Sequence, residues 1–285
     1  MPIYGRTDLA SEAHQIASRG VRSGRLEGVS ARQEEINGLP VTAVEVLNEK
    51  GAEAIGKPVG KYFTLELEGH FERGSDAFPD AAATVAELIR RCGAVDRSRK
   101  IFIAALGNPD ITPDALGPLA ASNILVTRHL KASAPKEFAC FRATVLCRTG
   151  VLGTTGMESA LQVKTLCQEM KPDLVIAIDA LAGAEASRLC RTIQICSTGI
   201  SPGSGVGNDR EALNEESLGV PVVAIGVPTV IDAAYFTDDP KLKAMFVTPR
   251  DIDSAVRTAG RLIGYGINLA LHDGLTVADV DMLVG

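Results

Sequence analysis

Two acids stand where this chain can do acid–base chemistry. Asp114 lies in the stretch GNPDITPDALGP, just after the apolar run Ile101–Leu106, and Asp179 closes the apolar run in LVIAIDALAG. Short β-branched runs of this kind read as strands buried on both faces. In an open α/β sheet, ligands gather at the carboxyl ends of the strands. If the two strands are neighbours, both carboxylates meet above the same sheet edge. Two close carboxylates cannot both ionise cheaply, so one keeps a proton near neutral pH. Such a pair can hold a water, one acid acting as base and the other as donor to a carbonyl oxygen. The same residues also fit structural duties, Asp114 as a first-turn helix acid and Asp179 as a loop cap. Asp110, in the same loop, competes with Asp114.

The run Ser201-Pro-Gly-Ser-Gly-Val-Gly-Asn208 offers a second kind of chemistry. Gly203, Gly205 and Gly207 let a backbone approach a ligand closely, with amides aimed at an anion or a peptide carbonyl. A tight structural crossover explains them equally well. A dinucleotide fingerprint would need glycine where Asn208 stands, and a nucleophile elbow would need glycine where Pro202 stands. The four histidines, His14, His70, His129 and His272, form no H-x-x-x-H pair, so a serine or cysteine triad has no support. The six cysteines form no C-x-x-C and read as small buried thiols in a reducing compartment.

The elements that must position these groups come from 285 residues, 46% hydrophobic, with a formal charge of −6. That length suits one large α/β domain. The acidic balance argues against a nucleic-acid face, and 4% aromatics without tryptophan argue against base-stacking platforms. No apolar run is long enough to cross a bilayer, and the N-terminus lacks the apolar core of a secretory signal. Residues 1–35 read as a polar arm, with a helix possible at 8–16. Strands are expected at 41–47 and 61–67 with a glycine-containing loop between them, forming a hairpin or meander. A helix follows at 80–92, then a strand at 101–106 and a helix over 113–130 that begins near Pro113. The sequence Thr155-Gly-Met-Glu158 fits a capping box opening a helix to about 170. Strands at 143–147, 174–178, 192–196 and 222–227 and a helix over 251–272 complete a βαβ pattern with parallel pairing.

The motifs RTDLASEAH, GKYFTLELEG, TPDALGP, TTGMES, KPDLVIAIDALAG, STGISPGSGVGNDR, LGVPVVAIGVPTVIDA, VTPRDID and INLALH run in this order over nearly the whole chain. The chain so resembles the spore germination proteases. The resemblance implies an α/β fold, a mostly parallel sheet flanked by helices, similar to the hydrogenase-maturation proteases and their phosphorylase/hydrolase-like fold. An N-terminal β-hairpin or small β region is added to it. It implies an endopeptidase that initiates degradation of small acid-soluble spore proteins during germination. It also implies a zymogen that removes its own propeptide, assembly as a homotetramer, and work in the cytoplasm of the forespore or spore core. The family's proposed catalytic aspartates fall on Asp114 and Asp179. Its self-cleavage site, an acid then an apolar residue then alanine, falls on Asp8–Leu9 with Ala10 next. The expected division is a propeptide 1–8 and a single peptidase domain 9–285. Substrate-backbone contacts are expected from Ser201, Gly203, Gly205 and Asn208. No cofactor, metal, membrane or direct nucleic-acid partner is expected. Gly183-Ala184 stands where relatives commonly carry Ala-Arg, which shifts any role of that arginine to Arg188. Two other readings use the same acids: a metal-dependent hydrolase, and a non-enzymatic metal-binding maturation factor.

Overall fold

The computed structural model of the protein describes residues 7–21, 26–67, 74–93, 99–204, 210–237, 239, 241–243 and 245–284. Its strands are β1 Val29–Ile36, β2 Leu39–Val46, β3 Gly60–Glu66, β4 Lys100–Leu106, β5 Ala143–Gly150, β6 Leu174–Gly183, β7 Thr192–Cys196, β8 Val222–Asp232 and β9 Phe246–Val247. They join in one sheet ordered β1-β2-β3-β7-β8-β6-β4-β5, with β9 against β8. The apolar runs expected as buried strands form its parallel half, β5-β4-β6-β8. Helices cover both faces, as the α/β reading requires.

Alternation along the strands sends side chains to two cores. Ile101, Ile103, Ile176, Ile178, Ile193 and Ile195 face helices α3 (Phe78–Cys92), α4 (Leu116–Ala121) and α9 (Ile252–Leu271). Phe102, Ala104, Val175 and Ala177 face the other way, towards α7 (Ser159–Met170). On that second face a smaller cluster of Val44, Val46, Tyr62, Cys196 and Ala224 receives Ala10 of α1 (Ala10–Arg19) and Ile55 of α2 (Glu49–Ile55). No helix among the described residues is long and apolar enough to cross a membrane.

Several local expectations are corrected. Residues 29–35 are the edge strand β1, not an arm. Asn37 and Gly38, both at positive φ (50° and 77°), close a two-residue turn that returns the chain into β2. That is the left-handed pair a tight hairpin needs. The link between β2 and β3 holds α2, capped by Asn48, whose side chain accepts from the Gly51 N–H. β7 runs antiparallel to both neighbours, β3 and β8. Only residues 184–191 join β6 to β7, fewer than a parallel crossover needs.

The helix expected over 113–130 divides into a 3-10 turn, Thr112–Asp114, then α4 and α5 (Arg128–Ser133). Between the two helices the Leu125 N–H bonds the Asn268 side chain of α9, so tertiary contacts overrule helical spacing there. The expected capping box does not form. Thr155 ends the short α6 (Leu152–Thr155), Gly156 turns left-handed, and α7 starts at Ser159 without a side-chain cap.

Candidate active site

Asp179 is not at the end of its strand. β6 continues to Gly183, whereas β4 stops pairing with it one residue earlier, at Ala105–Ile178. The sheet is therefore open on one side of Asp179 just where its neighbour has turned away. The residue is 6% exposed, and its Oδ1 accepts from the Ala180 N–H at 2.9 Å. Burial pushes its carboxyl well above the usual carboxylate range, and the charge of Asp114 pushes in the same direction, as does Asp8 more weakly. The Ala180 N–H and the Arg210 guanidinium oppose the rise.

Asp114 reaches the same place from the loop beyond β4. The chain folds back so that the Asn108 N–H donates both to the Asp114 carbonyl, at 3.0 Å, and to its Oδ2, at 2.9 Å. Gly107 makes this possible. Its φ is 109°, and a Cβ there would stand 2.0 Å from the Asp114 carbonyl oxygen. The hydroxyl of Thr229 on β8 donates to the Pro113 carbonyl at 2.7 Å, tying the turn to the sheet. Burial raises the Asp114 carboxyl too, against the Asn108 N–H and Arg210. Both acids line one cavity of about 470 Å³ together with Asp8 and Arg210. A buried and a half-buried carboxyl facing one space, each raised, favour the singly protonated pair. Asp110 is exposed and spends its own N–H on the Asn108 side chain, so the competition within the loop goes to Asp114.

Asp8 enters this cavity because residues 7–12 are bound to the sheet along their length. Its N–H donates to the Ala182 carbonyl, and its carboxylate accepts from the Ala182 N–H at 2.9 Å and the Ser204 hydroxyl at 2.8 Å. Lys57 donates its ammonium to the Thr7 carbonyl at 2.9 Å. Leu9 is fully buried, and α1 begins at the next residue. Glu12, 1% exposed, accepts from the N–H groups of Ala184 and Glu185 and from the Thr7 hydroxyl. Arg188 lies 3.9 Å from Glu12, pairs with Glu66 at 2.6 Å and Glu185 at 3.2 Å, and bonds Ser11. Even so, burial raises the Glu12 carboxyl above its ordinary value.

Of the glycine-loop residues, Gly203 lines the larger cavity. Ser201 lines a smaller one of about 210 Å³ on the other side of Asp8, beside Lys57, Gln194 and Gly226. Gly205 and Asn208 lie outside the described residues, as do residues 1–6 of the expected propeptide and His70. His14, His129 and His272 stand away from the acids; burial pushes His272 down to about 4. Among the described residues no group of three or more His, Cys, Asp or Glu is arranged to hold a metal ion. Sequence reasoning did not single out Ser204, Lys57, Gln194, Glu12 or Arg210 as site residues. Ser204 lies in the glycine run, Glu12 in the RTDLASEAH motif and Arg210 at the end of the GNDR motif, so these three carried a local signal; Lys57 and Gln194 sit in ordinary loop and strand contexts.

The sequence model of the germination protease family matches residues 7–243. The germination protease of Caldanaerobacter subterraneus subsp. tengcongensis is 40% identical, over 98% of this chain and 98% of its own length. That of Clostridium perfringens is 35% identical over 97% and 98%. That of a Geobacillus species is 42% identical over 82% of this chain and 65% of its own length. Among solved structures, the [NiFe] hydrogenase maturation protease HycI of Thermococcus kodakarensis is similar at a TM-score of 0.37 and 17% identity, over 65% of this chain and 99% of that one.

Proposed function

The chain belongs to the germination protease family, and on that footing we propose that it is an endopeptidase in which Asp114 and Asp179 share a proton and activate water. The ionised member of the pair takes a proton from the water, whose oxygen adds to the peptide carbonyl carbon. The protonated member donates to the carbonyl oxygen. Collapse breaks the C–N bond: the departing amine takes the proton that the first acid drew from the water, and the second acid regains its proton from the collapsing intermediate. The observation that carries this reading is the pair of raised, mutually repelling carboxyls in one cavity with Asp8. The Arg210 charge works against the rise of both carboxyls.

The chain's own segment around Asp8 is the first substrate. The acid–apolar–Ala pattern Asp8-Leu9-Ala10 is seated against the strand that carries Asp179, which supports a zymogen that cuts itself between Asp8 and Leu9. The protein substrates in trans are small acid-soluble spore proteins, met in the spore core by a homotetramer. Separate Asp114→Asn and Asp179→Asn variants, assayed on a small acid-soluble spore protein and for a new N-terminus at Leu9, test the reading. Both activities vanish in both variants if the pair works as stated. Undiminished cleavage by either variant removes that residue from the mechanism.

A further inference from the structure

A carbonyl attacked by water needs a donor for the charge that grows on its oxygen. Gln194 is placed to supply one. It sits in the middle of β7, buried at 6% exposure, and among the described residues its side chain bonds backbone groups alone. Its Nε2 donates to the carbonyl oxygen of Asp8 at 3.0 Å, and its Oε1 accepts from the Ala10 N–H at 2.7 Å. The two contacts bracket the Asp8–Leu9 bond. They also fix the amide's direction: with its oxygen committed to the Ala10 N–H, only the NH2 end is left for Asp8.

The sheet register links this amide to the acids. Gln194 pairs with Gly226 of β8, and Gly226 pairs with Asp179 of β6. Residues in register project to the same face, so Gln194 and Asp179 flank a residue with no side chain, two strand spacings or about 10 Å apart along the backbone. The missing side chain of Gly226 makes room for Leu181, which leans over it. A Cβ there would meet the Leu181 side chain at 2.5 Å and the Asp179 carbonyl oxygen at 2.9 Å. Asp8 joins the two sides: it lines the small cavity that Gln194 lines and also the cavity of Asp114 and Asp179, so the peptide whose carbonyl Gln194 contacts reaches the acids.

We infer that Gln194 is a catalytic residue, the side-chain donor to the oxygen of the carbonyl that is cut. In self-processing that carbonyl is Asp8's; in a protein substrate it is that of the acid before the cut. The inference rests on the Asp8–Leu9 cut proposed above. As the water oxygen bonds to the carbonyl carbon, the C=O pair moves onto the oxygen and the hydrogen bond it accepts from the Gln194 N–H strengthens. As the pair returns, the C–N bond breaks and the Leu9 nitrogen takes the proton that the acid pair drew from the water.

Two variants separate this role from clamping of the segment. Gln194→Ala removes both contacts. Gln194→Glu keeps an oxygen for the Ala10 N–H but, when ionised, has no hydrogen for Asp8. The rate at which the full chain acquires a Leu9 N-terminus is read by mass spectrometry, below the measured Tm of each variant. Loss of one such donor is expected to slow the reaction by about 10²- to 10³-fold. Both variants should fall by that order at neutral pH, and Gln194→Glu should recover relative to Gln194→Ala as acidification returns its hydrogen. Gln194→Met, equal in length and apolar, replaces the alanine variant if that does not fold. Wild-type rates in Gln194→Glu at neutral pH, or a loss under about threefold in the apolar variant, overturn the inference while the cut stands. A wild-type chain that never shows Leu9 as its N-terminus overturns both.

Discussion

Gly107→Ala tests whether the loop after β4 sets the geometry of the acid pair. Gly107 holds φ at 109°, and a Cβ there would stand 2.0 Å from the Asp114 carbonyl oxygen, where ordinary contact begins at 3.4 Å. The Asp114 backbone must therefore retreat by about 1.4 Å, against the paired bonds from the Asn108 N–H and the Thr229 hydroxyl bond at Pro113. Misplacement of a reacting group by about 1 Å can lower a rate on the order of 10²-fold. The unfavourable φ and the lost bonds together cost roughly 3 kcal/mol, or a Tm lower by about 6 °C in a chain of this size. Gly219→Ala is the control. It has a comparable positive φ, 72°, but open space around its Cβ, at the end of α8 (Glu215–Leu218). It should cost about 1–2 kcal/mol and leave the cleavage rate unchanged. The assay is kcat for peptide cleavage beside thermal unfolding, on both variants. A Gly107→Ala enzyme that keeps its kcat, or that is no less stable than Gly219→Ala, refutes the claim that this close approach positions Asp114.

Three further outcomes follow from named contacts. Asp179→Asn should be inactive yet more stable at neutral pH. Its folded carboxyl is raised, so the folded chain holds a proton that the unfolded chain has lost, and stability falls as pH rises. The gain in Tm over wild type should fade as pH drops below the ordinary carboxylate value of about 4, and a gain that grows on acidification would contradict the sign. Ser204→Ala removes a 2.8 Å bond to the Asp8 carboxylate. Self-processing should slow by about tenfold to a hundredfold, the equivalent of one hydrogen bond to a charge, and an unchanged rate would deny Ser204 that role. Arg188→Ala leaves Glu12 buried without its cation. It should cost about 3 kcal/mol and make residues 7–19 sensitive to an added protease, whereas an equally resistant N-terminus would show that the amides of Ala184 and Glu185 hold Glu12 alone.

The position of Asp179 beside Asp114 reflects a division of labour between strand and loop. The strand supplies burial, which raises the carboxyl, and the loop supplies a second acid at the place where β4 stops pairing. Arg210 limits the rise. A site that keeps the Asp179 carboxyl out of water beside a second acid gives up stability for chemistry, and the predicted stabilisation of Asp179→Asn measures how much.

The sequence by itself determined the parallel half of the sheet. Runs such as Ile101–Leu106 and Leu174–Ile178 are apolar on both faces, and only a doubly covered strand satisfies that pattern. It also put Asp179 and Asp114 forward as candidate acids, and left Asp110 competing with Asp114 until the loop after β4 folded back. It did not determine β1, whose polar residues look like an arm until the Asn37-Gly38 turn pairs them with β2. Nor did it determine the break at Leu125, where the Asn268 side chain, 143 residues away, takes the backbone N–H that a helix would have used. Asp8 was legible as an acid before an apolar residue and alanine, but its partners Ser204 and Ala182 come from two distant segments, and Lys57, from a third, holds the neighbouring Thr7 carbonyl. Gln194 was not legible at all. Its meaning lies in the register that sets Gln194, Gly226 and Asp179 in one row across three strands. Local pattern records what a residue buries; which residues stand opposite it is decided only when the strands pair.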